Sequence, residues 1–168
     1  MPANVELKAR VIDPLAFEDR LRAIYGAPVA TLEQEDIFFA VPRGRLKMRC
    51  EGPQSCELIY YRRKNEAGPA FSSYFRSSLQ DPEKKKNELA SRFGLKGIVQ
   101  KKRQLFMAKG SRIHLDEVTG IGHFVEIEVP VISTGAMHQA TVRAMQLMRE
   151  LLIDENSLID SAYEELRP

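Results

Sequence analysis

The chain has 168 residues, 29% of them charged and 43% hydrophobic, which suits one soluble domain, 1–168, with a buried core. No apolar run approaches the ~18 residues of a membrane-spanning helix, and Met1-Pro2-Ala3-Asn4 does not open a signal peptide. A net charge of +2 is too slight to imply nucleic acid or a membrane surface by itself.

Asn4 to Ile12 alternates with period two and reads as a strand, with Asn4, Glu6, Lys8 and Arg10 on one face and Val5, Leu7, Ala9 and Val11 on the other. Asp13-Pro14 supplies an N-cap and a first-turn proline for a helix to about Tyr25. Its expected buried set is Leu15, Leu21, Ile24 and Tyr25, and Gly26 ends it. Glu33 to Val41 is a second strand carrying Asp36, Phe38 and Phe39, followed by a turn at Pro42-Arg43-Gly44. Arg45 to Glu51 shows the clearest alternation, with Arg45, Lys47, Arg49 and Glu51 opposite Leu46, Met48 and Cys50. Cys50 reads as a small buried residue. With Cys56 it forms no metal-like spacing, so a reducing, cytoplasmic setting is expected.

Glu57 to Arg63 places Glu57, Ile59, Tyr61 and Arg63 together, and Ala70 to Ser77 is a weaker fifth strand. Asp81-Pro82 caps a second helix to Phe93, before Gly94. Its Lys84-Lys85-Lys86 run reads as a solvated helix face rather than a nucleic-acid contact. Gly97 to Met107 resumes strand, with Val99, Lys101, Arg103 and Leu105 in phase, and Ser111 to Val118 follows with Arg112, His114 and Asp116 in phase. After Gly120-Ile121-Gly122, the strand Phe124 to Pro130 turns Phe124, Glu126 and Glu128 one way and Val125, Ile127 and Val129 the other. A helix over His138–Leu152 carries Val142, Met145, Met148 and Leu152, and a short terminal helix covers about Ser157 to Leu166.

About eight strands thus carry charge on one face and aliphatic residues on the other. Helices on the aliphatic face leave the charged face as solvent surface or as the lining of a closed barrel. A lining with Lys8, Arg45, Lys47, Arg49, Arg63, Lys101, Arg103 and Arg112 attracts a compact polyanion, since guanidinium forks match phosphate oxygens. Glu6, Glu126, Glu128 and Asp116 offer hard oxygen ligands for Mg²⁺ or Mn²⁺. Together these are the two halves of phosphoryl-transfer chemistry. His114 either lines that face or makes a cross-strand hydrogen bond.

Asn4-Val5-Glu6-Leu7-Lys8 resembles the Glu-x-Glu-x-Lys signature of the CYTH superfamily, the triphosphate tunnel metalloenzymes. The resemblance continues in order through Asp36-Ile37-Phe38-Phe39, Gly44-Arg45-Leu46-Lys47-Met48-Arg49, Leu58-Ile59-Tyr60-Tyr61-Arg62-Arg63, Leu115-Asp116-Glu117-Val118 and Gly122-His123-Phe124-Val125-Glu126-Ile127-Glu128. It implies an α+β fold, a closed eight-stranded antiparallel tunnel with helices outside, which binds triphosphates with Mg²⁺ or Mn²⁺. Its members include class IV adenylate cyclases, thiamine triphosphatases and inorganic triphosphatases.

Position by position, Glu6, Asp116, Glu126 and Glu128 resemble metal ligands, and Lys8 and the seven in-phase basic residues that follow it resemble phosphate contacts. Lys8, Glu6, Glu126 and Glu128 are the expected catalytic set. Asn4 departs from the pattern, bringing an amide oxygen without charge where the family usually has its first glutamate. The expected activity is hydrolysis of a triphosphate: ATP, thiamine triphosphate or inorganic triphosphate. Cyclisation of ATP and binding without turnover are the alternatives. The outer helices leave a face through which a homodimer can pair.

Overall fold

The computed structural model describes residues 1–168. In chain order its elements are β1 (Ala3–Val11), α1 (Pro14–Tyr25), β2 (Ala30–Phe39), β3 (Arg45–Cys50), β4 (Cys56–Arg63), β5 (Ala70–Ser78), α2 (Pro82–Phe93), β6 (Leu95–Ala108), β7 (Ser111–Val118), β8 (Gly122–Pro130), α3 (Met137–Glu150) and the two-residue β9 (Leu158–Ile159). Eight strands pair antiparallel in the order β5-β4-β3-β2-β6-β7-β8-β1, and β1 returns to β5, closing the sheet on itself. Closure leaves no long edge to protect. The fold is the α+β barrel that the resemblance implies.

The outward aliphatics gather the helices. α1 and α3 cover β1 and β6–β8 over a core that includes Val5, Leu7, Ile113, Val125, Ile127 and Leu147. α2 covers β2–β4 through Ile37, Phe39, Leu46 and Met48 against Leu89, Ala90 and Phe93. The helix boundaries follow the local chemistry. Asp13 and Asp81 accept hydrogen bonds from the amides of Ala16 and Lys84, both at 3.1 Å. Gly26 and Gly94 end the two helices at φ of 82° and 78°, a region costly for residues bearing a Cβ.

The helices turn differently from the expected stripes. α3 buries Ala140, Ala144, Leu147 and Met148, followed by Leu151. Val142, Met145 and Leu152 are exposed instead. α1 buries Phe17 and Leu21 and leaves Leu15 and Ile24 exposed. Small alanines let the α3 backbone approach the sheet, and the bulkier side chains then have no room beneath it.

Two further expectations are corrected. Cys50 stands directly across the β3–β4 ladder from Cys56, with Cα atoms 4.2 Å apart, and the two form a disulfide. Cys50 is therefore a cross-link rather than a lone buried thiol. The terminal segment is also not a helix. β9 pairs with Lys8 and Ala9 of β1, and short 3₁₀ turns flank it. β5 reaches only Ala3–Glu6 of the same β1 edge, so this segment fills the wall where β5 has diverged.

Candidate functional site

Alternation turns every second side chain of each wall strand into the barrel. β1 contributes Asn4, Glu6 and Lys8; β3 contributes Arg45, Lys47 and Arg49; β4 contributes Tyr61 and Arg63. Lys101 and Arg103 come from β6, Arg112 from β7, and Glu126 and Glu128 from β8, all around one lumen. With Arg76, nine basic side chains line it against four carboxylates. Asp116 also points inward but is fully buried behind Arg103 and Tyr163. The structure therefore brings every sequence-nominated site residue into one interior. The remaining free space is only about 130 Å³, because long charged side chains occupy the rest.

Those side chains are held by carboxylates. Asp36 on β2, absent from the nominated set, accepts from Lys47 and Lys101 at 2.9 Å and from Arg49 at 2.7 Å through both oxygens. Burial alone would raise its pKa, but Arg49, Lys101 and Lys47 hold it well below the usual carboxylate range. Asp116 makes a bidentate pair with Arg103 at 2.7 and 2.6 Å and accepts from the Tyr163 hydroxyl at 2.7 Å. Both Asp116 oxygens are therefore engaged. Arg103 also reaches Glu126 at 3.2 Å.

The opposite charge gathers at one corner. Glu6 lies directly across the ladder from Glu128, and Lys8 across from Glu126. Like charges in facing positions are unfavourable unless a cation joins them. Burial, then Glu128 and Glu126, push the Glu6 carboxyl up to about 7. The ligand atoms of His114, Glu126 and Glu128 lie within 4.8 Å of one another, and the buried His114 Nδ1 has no hydrogen-bond partner. Crowded carboxylates beside a buried unpartnered nitrogen fit a divalent cation. Asn4 is buried and its amide donates to Glu6 at 3.4 Å, supporting that carboxylate without adding charge.

One end of the lumen is sealed. Phe38, Val99, Val118, Phe124 and Tyr163 form an apolar cluster, with Tyr163 carried in by the terminal segment. The Lys8 ammonium sits 3.8 Å above the Tyr163 ring and donates to the Ser161 carbonyl at 3.4 Å. Burial lowers the Lys8 pKa, Arg63 and Arg103 reinforce the shift, and Glu126 and Asp116 oppose it. Arg63 is held by the Asp160 carbonyl at 3.3 Å, while its buried Nη2 has no partner. At the other end Arg112 and Arg76 are 33% and 53% exposed, so the lumen meets solvent there. A larger hollow of about 1430 Å³ is an open groove rimmed by acids such as Glu33, Glu35 and Glu117, unsuited to an anion.

Asp36 and Tyr163 were not nominated from the sequence. Asp36 carried a usable signal, since an inward position on β2 faces Arg49 across the hairpin. Tyr163 carried none, because no periodicity ties the terminal segment to the barrel.

A closed antiparallel barrel with a basic lumen and an acidic corner defines a β-tunnel protein. The CYTH domain profile matches residues 2–163, and the chain belongs to the CYTH family. It is similar to a candidate adenylate cyclase of Methanocaldococcus jannaschii, at 21% identity over 98% of each chain. The PH1012 protein of Pyrococcus horikoshii superposes with a TM-score of 0.85 at 24% identity, over 98% of this chain and 99% of that one. The adenylyl cyclase homologue HpAC1 from Hippeastrum, whose structure is described as revealing a dominant triphosphatase activity, superposes at 0.62 with 15% identity, over 96% and 91% of the two chains.

Proposed function

We propose that the protein is a divalent-metal-dependent triphosphatase that binds its substrate's phosphate chain in the lumen. The observation that carries this reading is the charge pattern of the interior: nine basic side chains, including the unpartnered donor Arg63 Nη2, facing a corner of crowded carboxylates. Arg45, Lys47, Arg49, Arg63, Lys101, Arg103 and Arg112 bind phosphate oxygens, with Asp36 and Asp116 fixing the guanidinium and ammonium groups beforehand. In this reading Asp116 serves Arg103 rather than a metal directly.

Glu6, Glu126 and Glu128 hold Mg²⁺ or Mn²⁺, which when bound neutralises phosphate charge and orients the attacking water. Lys8, opposite Glu126, contacts the transferring phosphate. The compartment assigned with this reading is the cytoplasm.

Hydrolysis is favoured over cyclisation because charged side chains, nine basic and four acidic, dominate the lumen wall. The cyclase reading rests on the similarity to the M. jannaschii protein. The test incubates the protein with Mg²⁺ or Mn²⁺ and inorganic triphosphate, ATP or thiamine triphosphate, and separates phosphate, pyrophosphate and cyclic AMP. Phosphate release lost in Glu126→Ala is the expected result. Cyclic AMP with pyrophosphate replaces hydrolysis with cyclisation. Tight binding without any product makes the protein a binder.

A further inference from the structure

The reading above assigns the cation to carboxylates, yet a histidine stands directly across the ladder from one of them. His114 faces Glu126 directly across the β7–β8 ladder, two positions from Arg112, which faces Glu128. The ring is 6% exposed. Its Nδ1 lies 3.8 Å from Glu128 Oε1, beyond hydrogen-bonding distance, and has no other partner. A cross-strand hydrogen bond is therefore not what this nitrogen makes. A buried polar atom is seldom left unpaired, and this one lies in the same few ångströms as two carboxylates.

We propose that His114 is a direct nitrogen ligand, through Nδ1, of the divalent cation held by Glu126 and Glu128, and that it biases the site toward Mn²⁺ over Mg²⁺. The proposal rests on the reading that this corner holds a metal. Three observations support it independently of that reading's chemistry: the 4.8 Å cluster, the depth of the ring and the unpaired Nδ1.

The selectivity follows from donor type. Mg²⁺ favours oxygen donors and retains its waters, whereas imidazole suits the first-row transition ions, whose affinities for a mixed nitrogen–oxygen site rise above that of Mg²⁺. Asn4 sharpens the effect. With a neutral amide in the first position of the β1 motif, the corner has one carboxylate fewer than the family pattern. Part of its affinity then passes from charge, which Mg²⁺ uses well, to a nitrogen, which it uses poorly.

The test is electron spin-echo spectroscopy of Mn²⁺ bound to the full chain, alone and with inorganic triphosphate, using protein labelled with ¹⁵N-histidine. The chain has three histidines, so His114→Gln identifies the source. The expected result is an imidazole coupling in the wild type that His114→Gln abolishes. Calorimetry should show Mn²⁺ affinity falling on the order of tenfold in the variant and Mg²⁺ affinity nearly unchanged. The labelled wild type decides the ligation even if the variant folds poorly. Mn²⁺ bound without nitrogen coupling overturns the proposal and leaves a carboxylate metal site standing. Equal losses for both ions overturn the selectivity. No Mn²⁺ binding, with or without triphosphate, overturns both the proposal and the reading beneath it.

Discussion

Glu6 and Asp36 show how differently two buried carboxylates behave in one lumen. Glu6 sits among other carboxylates and is raised to about 7, whereas Asp36 sits among three cations and is held low. For Glu6 the folded chain holds a proton that the unfolded chain has already lost. The contribution of this residue to stability is therefore fully present below about pH 4.5 and is lost as the pH rises through 7. Glu6→Gln should stabilise the metal-free protein at pH 8, by an amount on the order of 3 kcal/mol, and the gain should vanish toward pH 4.5. Denaturant melts of both proteins across that range test it, and added Mn²⁺ should erase the difference at pH 8. Asp36 works in the opposite direction, contributing stability above the ordinary carboxylate range that is lost in acid. Asp36→Asn strands Lys47, Arg49 and Lys101 around a neutral group and should cost about 3–5 kcal/mol. Inorganic triphosphate should restore part of that loss in a thermal melt, because it supplies the missing counter-charge.

At the scale of elements, the β3–β4 hairpin and the terminal segment each complete a wall. The disulfide ties Cys50 to Cys56 across a short exposed loop, and reducing it should lower stability by about 2 kcal/mol, read as a shift in the denaturant midpoint. Tyr163→Phe removes the only donor to Asp116 from outside Arg103. It should cost about 1–2 kcal/mol while leaving the apolar seal in place. The strands were legible because period-two alternation survives in each of them, and the inward basic residues came with it. Both helix starts and stops were legible too, from Asp-Pro and Gly. The α1 and α3 stripes were not. Hydrophobicity ranks Val142 and Met145 above Ala140 and Ala144, but close approach to a sheet selects for small side chains. The terminal segment was read as a helix because its charges and leucines permit one; only the gap left by the diverging β5 makes it a strand and a plug. The disulfide depended on register, which the spacing of the two cysteines does not reveal.

For the whole molecule, the net charge of +2 conceals a strong separation: the excess of positive charge is inside. An empty lumen of this kind repels itself, so compact anions should raise the melting temperature, and inorganic triphosphate should do so most. Triphosphate affinity should fall as ionic strength rises from low to physiological values, since exposed Arg76 and Arg112 meet the ligand first. The lumen cations are already paired with Asp36, Asp116 and Glu126, so they must exchange partners as the ligand enters. Association measured by stopped flow should accordingly fall well below the ~10⁸ M⁻¹s⁻¹ of steered rigid docking. The sealed end has a consequence for turnover. With Tyr163 and its apolar neighbours closing one mouth, whatever is made inside leaves by the way the next substrate arrives. Under the triphosphatase reading, phosphate and diphosphate fit the same guanidinium groups as the substrate chain. Progress curves should then bend long before substrate is exhausted, and a coupled enzyme that consumes diphosphate should straighten them.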